Sequence, residues 1–188
     1  RDRSERLSRP VLCVALIVSG GAALVYQASW ASMLHRVFGV SDQAVATVLA
    51  TFFLGLGVGA WLGGRVVHRF RRPALLYAAL EALIGALALL SLLLIPRLHD
   101  VYAGLSVGAT EAGLTGLRFA LATALLLPPT LLLGATLPVL IALFADREGW
   151  TSPATRLYAI IAFGATAGAG LTGLVLLPRI GTVLTVAT

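Results

Sequence analysis

Residues 44–73 read AVATVLATFFLGLGVGAWLGGRVVHRFRRP, an uncharged apolar run that ends in a dense basic cluster. The 23 residues from 45 to 67 rise about 35 Å as a helix, enough to cross a bilayer core of roughly 30 Å. Within the run, Gly55, Gly59 and Gly63 recur every fourth residue, with Gly57 and Gly64 beside them. At helical spacing the first three form a ridge without side chains, along which another helix approaches backbone to backbone. Arg65, Arg69, Arg71 and Arg72 follow at one end, where the positive-inside rule places the cytoplasm. Solvent, orientation and a packing face are all specified by this stretch. The glycine repeat itself points to helix packing rather than to substrate contact.

The rest of the composition agrees. Only 12% of the 188 residues are charged, against about 25% in a soluble domain, so the chain reads as an integral membrane protein. Its net charge of +6 comes from 14 basic residues, all of them arginine. These arginines stand at helix ends rather than in a solvated patch, which favours topology over nucleic-acid binding. Cys13, the single cysteine, falls inside an apolar run, so neither a disulfide nor a cysteine metal site is expected.

In chain order, a polar flank with four arginines (1–9) precedes a first span at about 10–33. Ser19, Ala23, Gln27 and Trp30 share the inner face of that span. A short outer loop follows, then the second span at 45–67 and its basic loop. Pro73 opens the third span, 73–95, at a position that needs no N–H. Residues 96–116 read as a longer outer connection. The fourth span, 117–144, contains Pro128, Pro129 and Pro138, so a kink or break is expected near Leu127. The fifth, 154–177, carries Gly164 and Gly168, the expected partners of the Gly55/Gly59/Gly63 ridge. A sixth begins at 182–188 and is incomplete. Inner segments carry net +2 (1–9), +4 (65–72) and 0 (145–156), and outer ones 0 (34–44) and −1 (96–115). The N-terminus is therefore expected in the cytoplasm. The fold class is all-α, a single polytopic, transporter-like transmembrane bundle of five complete spans and the start of a sixth. Arg1 at one end and Thr188 inside an apolar segment at the other read as limits of a longer chain.

Four blocks, SGGAALVYQASW (19–30), AVATVLATFFLGLGVGAWLGGR (44–65), LLLPPTLLLGATLPVL (125–140) and LYAIIAFGATAGAGLTGLVLLPRIG (157–181), carry a family resemblance. Together they resemble the membrane domain of fused spermidine synthases, in which a helical region patterned like the major facilitator superfamily precedes a soluble aminopropyltransferase domain. The resemblance covers nearly the whole chain, and its most specific part is the block from PPT to GATLP. The basic GGRVVHRFRRP also looks like the loop between the second and third helices of facilitator transporters, with His68 near the place of its usual acid. Two departures from the family stand out. Ile161 and Ala162 replace a polar Asn-Thr pair, and Ser32 stands where an arginine is common.

The resemblance implies an enzyme domain beyond residue 188, and only that domain would use decarboxylated S-adenosylmethionine. Aminopropyl transfer needs a Gly-rich turn after a strand and acidic residues for the amines, and no strand pattern here can host them. No catalytic, cofactor-binding or metal-binding constellation is present within these residues. His35, His68 and His99 fall near different membrane faces.

Glu81 is the sharpest polar candidate. It lies about 12 Å along a helix from Pro73, a depth at which a carboxylate faces the bundle or water rather than lipid. Two readings follow: a cation or amine site with Tyr77, or a structural ion pair with Arg65 or Arg156. Gln27, with Tyr26 and Trp30, either lines a cavity near the outer side or makes an interhelical hydrogen bond. Three functions are in play. One is a non-catalytic membrane domain of a spermidine synthase-like protein, which anchors an enzyme domain and passes amines. Another is a polyamine or cation transporter using Glu81. The third is an accessory subunit of a larger membrane complex. The expected partners are the lipid bilayer, polyamines, and other membrane subunits or further copies of the chain, with no nucleic acid. The expected location is the bacterial-type inner membrane.

Overall fold

In lipid each backbone N–H and C=O needs a partner within its own segment, so an apolar run of this length becomes a helix. A computed structural model of the chain describes residues 3–38, 42–108, 110–144, 153–179 and 181. Five long helices follow in order: α1 (Arg3–Phe38), α2 (Asp42–Val66), α3 (Pro73–Ser106), α4 (Glu111–Phe144) and α5 (Pro153–Leu171). A 3-10 turn (Val67–Arg69) extends α2, and a π-helical turn (Thr172–Leu176) extends α5. The described residues contain no strand. Four segments are long and apolar enough to cross a membrane: Val45–Arg69, Pro73–Ser106, Glu111–Leu143 and Thr155–Arg179. The chain is an all-helical membrane protein. The sixth span expected at 182–188 lies outside the described residues.

Contacting residues give the direction of each helix. Ser19 meets Glu81, Trp30 meets Ser91 and Phe38 meets Tyr102, so α1 and α3 run parallel. Ile17 lies against Gly164 and Gly21 against Gly168, so α1 and α5 are parallel as well. Gly55 meets Thr130 and Gly63 meets Ala135, which makes α2 parallel to α4. A tight turn with Gly108 at φ +76° reverses the chain between α3 and α4. Thr110 then caps α4, its Oγ1 accepting from the Gly113 N–H at 3.2 Å.

Close backbone contact builds two helix pairs. A β-carbon on Gly59 would fall on the Leu131 carbonyl oxygen, and one on Gly55 on Thr130 Oγ1. A β-carbon on Gly63 would lie 2.8 Å from the Ala135 Cα. From the other side, Gly134 of α4 presses against the Leu56 carbonyl. The α2 ridge therefore packs on α4, and not on α5 as the sequence led us to expect. Gly164 and Gly168 face α1 instead, against the backbone of Ile17 and Gly21, while Gly20 meets the Ile161 carbonyl. The reason is complementarity. Gly20 and Gly21 give α1 a small-residue face for α5, and Gly134 and Ala135 give α4 one for α2.

Two further expectations change. Of the kink or break expected near Leu127, the break is not formed: α4 continues as one helix through Pro128, Pro129 and Pro138. The two adjacent prolines withhold N–H donors from the carbonyls of Ala124 and Leu125. One residue on, Thr130 Oγ1 donates to the carbonyls of Leu126 at 2.7 Å and Leu127 at 3.1 Å. The close support of α2, whose Gly55 and Gly59 lie against Thr130 and Leu131, accompanies the helix through this turn. Likewise α3 runs past Pro96 to Ser106, so residues 107–110 replace the long connection expected at 96–116. A single proline removes one helical bond, and the helix beyond it still has apolar residues to bury. Leu98 and Tyr102 pack on the cluster of Trp30, Leu34 and Phe38. Outward, Leu75, Leu83, Leu89 and Leu93 of α3 are exposed, a surface suited to lipid.

The α2–α4 contact gives a direct test. Gly59→Ala places a methyl on the Leu131 backbone, and overpacking of this kind costs about 1–3 kcal/mol. At Gly57, open space surrounds the same methyl, and the substitution stabilises by about 0.4–1 kcal/mol. Thermal unfolding of both variants in detergent should show opposite shifts.

Candidate functional site

Glu81 occupies α3 two turns after Pro73, within the bundle and only partly exposed. Its carboxylate is met by α1, where Ser19 Oγ donates to Glu81 Oε1 at 2.6 Å. Tyr77, one turn earlier on the same face of α3, brings its hydroxyl beside both Ser19 and Glu81. Tyr26 of α1 stands close enough to feel the Glu81 charge and stacks on Trp30 at 5.7 Å between ring centroids. The expected ion pair is not formed among the described residues, where the partners of Glu81 are hydroxyl groups. Arg65 instead lays its guanidinium over the Trp61 ring, 4.1 Å from the centroid. At an exposed site that contact contributes about as much as an exposed ion pair, on the order of 0.5–1 kcal/mol.

Local sequence explains the placement of Ser19. It immediately precedes Gly20 and Gly21, the residues that bring α1 against α5. Ser19 therefore sits at the seam of that contact, with α3 on its other side. Leu16, one turn before it, forms an apolar cluster with Leu140 and Leu157, against which the Tyr77 ring packs. The carboxylate thus has hydroxyls above an apolar floor.

Beside this group a cavity of about 640 Å³ opens between α1, α2, α4 and α5. Ser19 lines it, with Phe52, Leu133, Tyr158, Ile161 and Ala162 among its walls. The two pairs α1–α5 and α2–α4 meet only sparsely across this space. Ser19 is thus the point where the cavity and the Glu81 carboxylate touch. Its place on the inner face of α1 follows from helical spacing, but its partner on α3 does not.

The other sequence candidates are dispersed. Trp30 does not line a cavity; it is fully buried in the apolar core. There its Nε1 donates to Ser91 Oγ at 2.8 Å, and Ser91 Oγ donates to the Ala88 carbonyl at 2.6 Å. The buried indole needs that acceptor, and a serine in the apolar stretch of α3 is the only sequence hint of it. Gln27 is partly buried and lies outside the cavity wall. Among the described residues no group of three His, Cys, Asp or Glu side chains is placed to hold a metal.

Ser91→Ala tests the structural role of this contact. It leaves a buried indole N–H without an acceptor, a loss of about 1–3 kcal/mol. Thermal unfolding should register that loss. No protein-family model, curated protein or solved structure matches the chain, so its functional reading rests on the Ser19–Glu81 geometry.

Proposed function

We propose that this chain is the non-catalytic membrane domain of a protein similar to the fused spermidine synthases, and that it binds a cationic amine through Glu81. The observation that supports it most is the carboxylate itself. It is held in the bundle by Ser19 and Tyr77, and among the described residues its partners are hydroxyl groups, with no guanidinium on it. A buried carboxylate is costly at membrane depth, and an ammonium ligand lowers that cost by completing an ion pair. In this reading α1 to α5 are the five complete spans and 182–188 starts a sixth. The domain anchors an aminopropyltransferase-like domain beyond residue 188 and passes amines to it or away from it, in the manner of a transporter. A second reading, an accessory subunit of a larger complex, draws support from Ile161 and Ala162. They line the cavity at positions that would carry polar residues if the family pattern held.

The proposed setting is the inner membrane with the N-terminus in the cytoplasm. The basic cluster Arg65, Arg69, Arg71 and Arg72 supports it, and so does the shared direction of α1, α3 and α5. Phe70 is exposed beside that cluster, so Phe70→Cys tests the topology in a Cys13→Ser background. A membrane-impermeant maleimide added outside intact cells should leave it unlabelled, and should label it after the cells are opened.

The amine reading is tested with Glu81→Gln, which removes the charge and keeps the shape. A charge-assisted hydrogen bond contributes about 1.5–3 kcal/mol, so amine binding by the purified chain should weaken roughly ten- to hundredfold. The thermal midpoint should move little, because the amide oxygen still accepts from Ser19. Equal binding by the variant excludes Glu81 as the amine site. Co-purification with a membrane partner, without amine binding, would favour the accessory subunit.

A further inference from the structure

We infer that the cavity between α1, α2, α4 and α5 takes an amphipathic monoammonium ion, one charged nitrogen on an apolar body, in preference to a polyamine. This rests on the amine-binding reading and narrows its ligand class. The cavity holds about 640 Å³, within the roughly 300–1,000 Å³ of small-molecule sites. Among the described residues no charged side chain lines it, and its hydroxyl groups are Ser19, Thr136, Tyr158 and Thr166. Two of these are spent on their own helices. Thr136 Oγ1 donates to the Leu133 carbonyl at 2.7 Å, and Thr166 Oγ1 to the Ala162 carbonyl at 2.9 Å. Tyr158 is largely exposed at the margin.

Ser19 differs from the others. Its single proton goes to Glu81 Oε1, which leaves the oxygen as an acceptor, polarised by the carboxylate behind it. An ammonium in the cavity donates to Ser19 Oγ and is balanced by the Glu81 charge one hydrogen bond away. One position in the wall therefore answers one positive charge. The remaining surface, formed by Phe52, Leu56, Leu133, Leu137, Leu140 and Ile161, favours methylenes or an aromatic ring. A chain with three or four ammonium groups would leave its further charges against that surface with neither counter-ion nor acceptor, and burial of that kind is strongly unfavourable. The apolar Ile161 and Ala162 thus act as specificity determinants.

The test is equilibrium binding to the purified full chain in lipid nanodiscs, with hexylammonium, spermidine and 1-hexanol as probes. Hexylammonium should bind saturably and at least tenfold more tightly than either of the others. From butyl- to hexylammonium the affinity should rise about fourfold per methylene. Glu81→Gln should weaken hexylammonium at least tenfold. Ala165→Trp, which fills the cavity from α5 and leaves Glu81 untouched, should do the same. Ser19→Ala, a smaller perturbation of the fold, should weaken it severalfold. Tighter binding of spermidine that depends on Glu81 would overturn this inference and keep the amine reading. Hexylammonium binding that responds to Glu81→Gln but not to Ala165→Trp would overturn it in the same way, by removing the cavity from the site. If 1-hexanol binds as well as hexylammonium and Glu81→Gln changes neither, the space holds lipid chains, and both readings fall. Both also fall if neither amine binds.

Discussion

The two tightest helix pairs of this bundle, α1–α5 and α2–α4, depend on backbone meeting backbone at glycine. Lipid tails are as apolar as leucine, so burying leucine between two helices gains little from exclusion of solvent. What remains is close packing, and close packing needs surfaces without side chains. The chain provides four: Gly55/Gly59/Gly63 on α2, Gly134 on α4, Gly20/Gly21 on α1 and Gly164/Gly168 on α5. They match in two sets, and both sets join parallel helices that are not neighbours in sequence. Because these surfaces are used up within the pairs, little is left to draw one pair onto the other. The cavity is the consequence, bordered by both pairs.

α3 is held by different means. Gly85 and Gly104 meet nothing within 4 Å, so the glycines of this helix make no backbone contact with a neighbour. Its ties to α1 are apolar packing and two hydrogen bonds, Ser19 to Glu81 and Trp30 to Ser91. At its far end, Tyr102 is edge-on to Phe38 at 5.2 Å, and its hydroxyl accepts from Arg118 Nε at 3.0 Å. Polar contacts between helices carry more of the specificity here than in α1–α5 or α2–α4. A helix fixed in this way can present a carboxylate to its neighbours, which a tightly packed glycine seam has no room to do.

Much of this was legible in the residues and some was not. Helical class and membrane setting follow from apolar runs whose length matches a bilayer, and Glu81 stands out because an acid in such a run must turn inward. The glycine ridge of α2 was equally visible, since spacing alone defines a face. Its partner was not. Gly164/Gly168 and Gly134/Ala135 are both small-residue faces, and choosing between them takes the three-dimensional order of the helices, which no local pattern encodes. Proline misled for a related reason. Pro96, Pro128 and Pro129 each remove a backbone bond, but packing of α2 on Thr130 and Leu131 and the packing beyond Pro96 accompany continuous helices, and these are tertiary effects. Ser19 escaped attention because a serine on an inner face is unremarkable until its acceptor is known.

The two α1–α3 hydrogen bonds divide structure from chemistry. Trp30 and Ser91 are both fully or almost fully buried, so their bond serves the fold. Ser19 and Glu81 are only partly buried, and the serine also lines the cavity. With α3 already fastened at Ser91, the Ser19–Glu81 contact does not have to bear the helix association by itself. Its geometry is therefore free to respond to a ligand: an ammonium arriving at Ser19 Oγ strengthens the bond to the carboxylate by polarising the hydroxyl. The anchor near the far end of α1 keeps the register of the two helices, and the register keeps an acid one hydrogen bond behind an otherwise apolar wall.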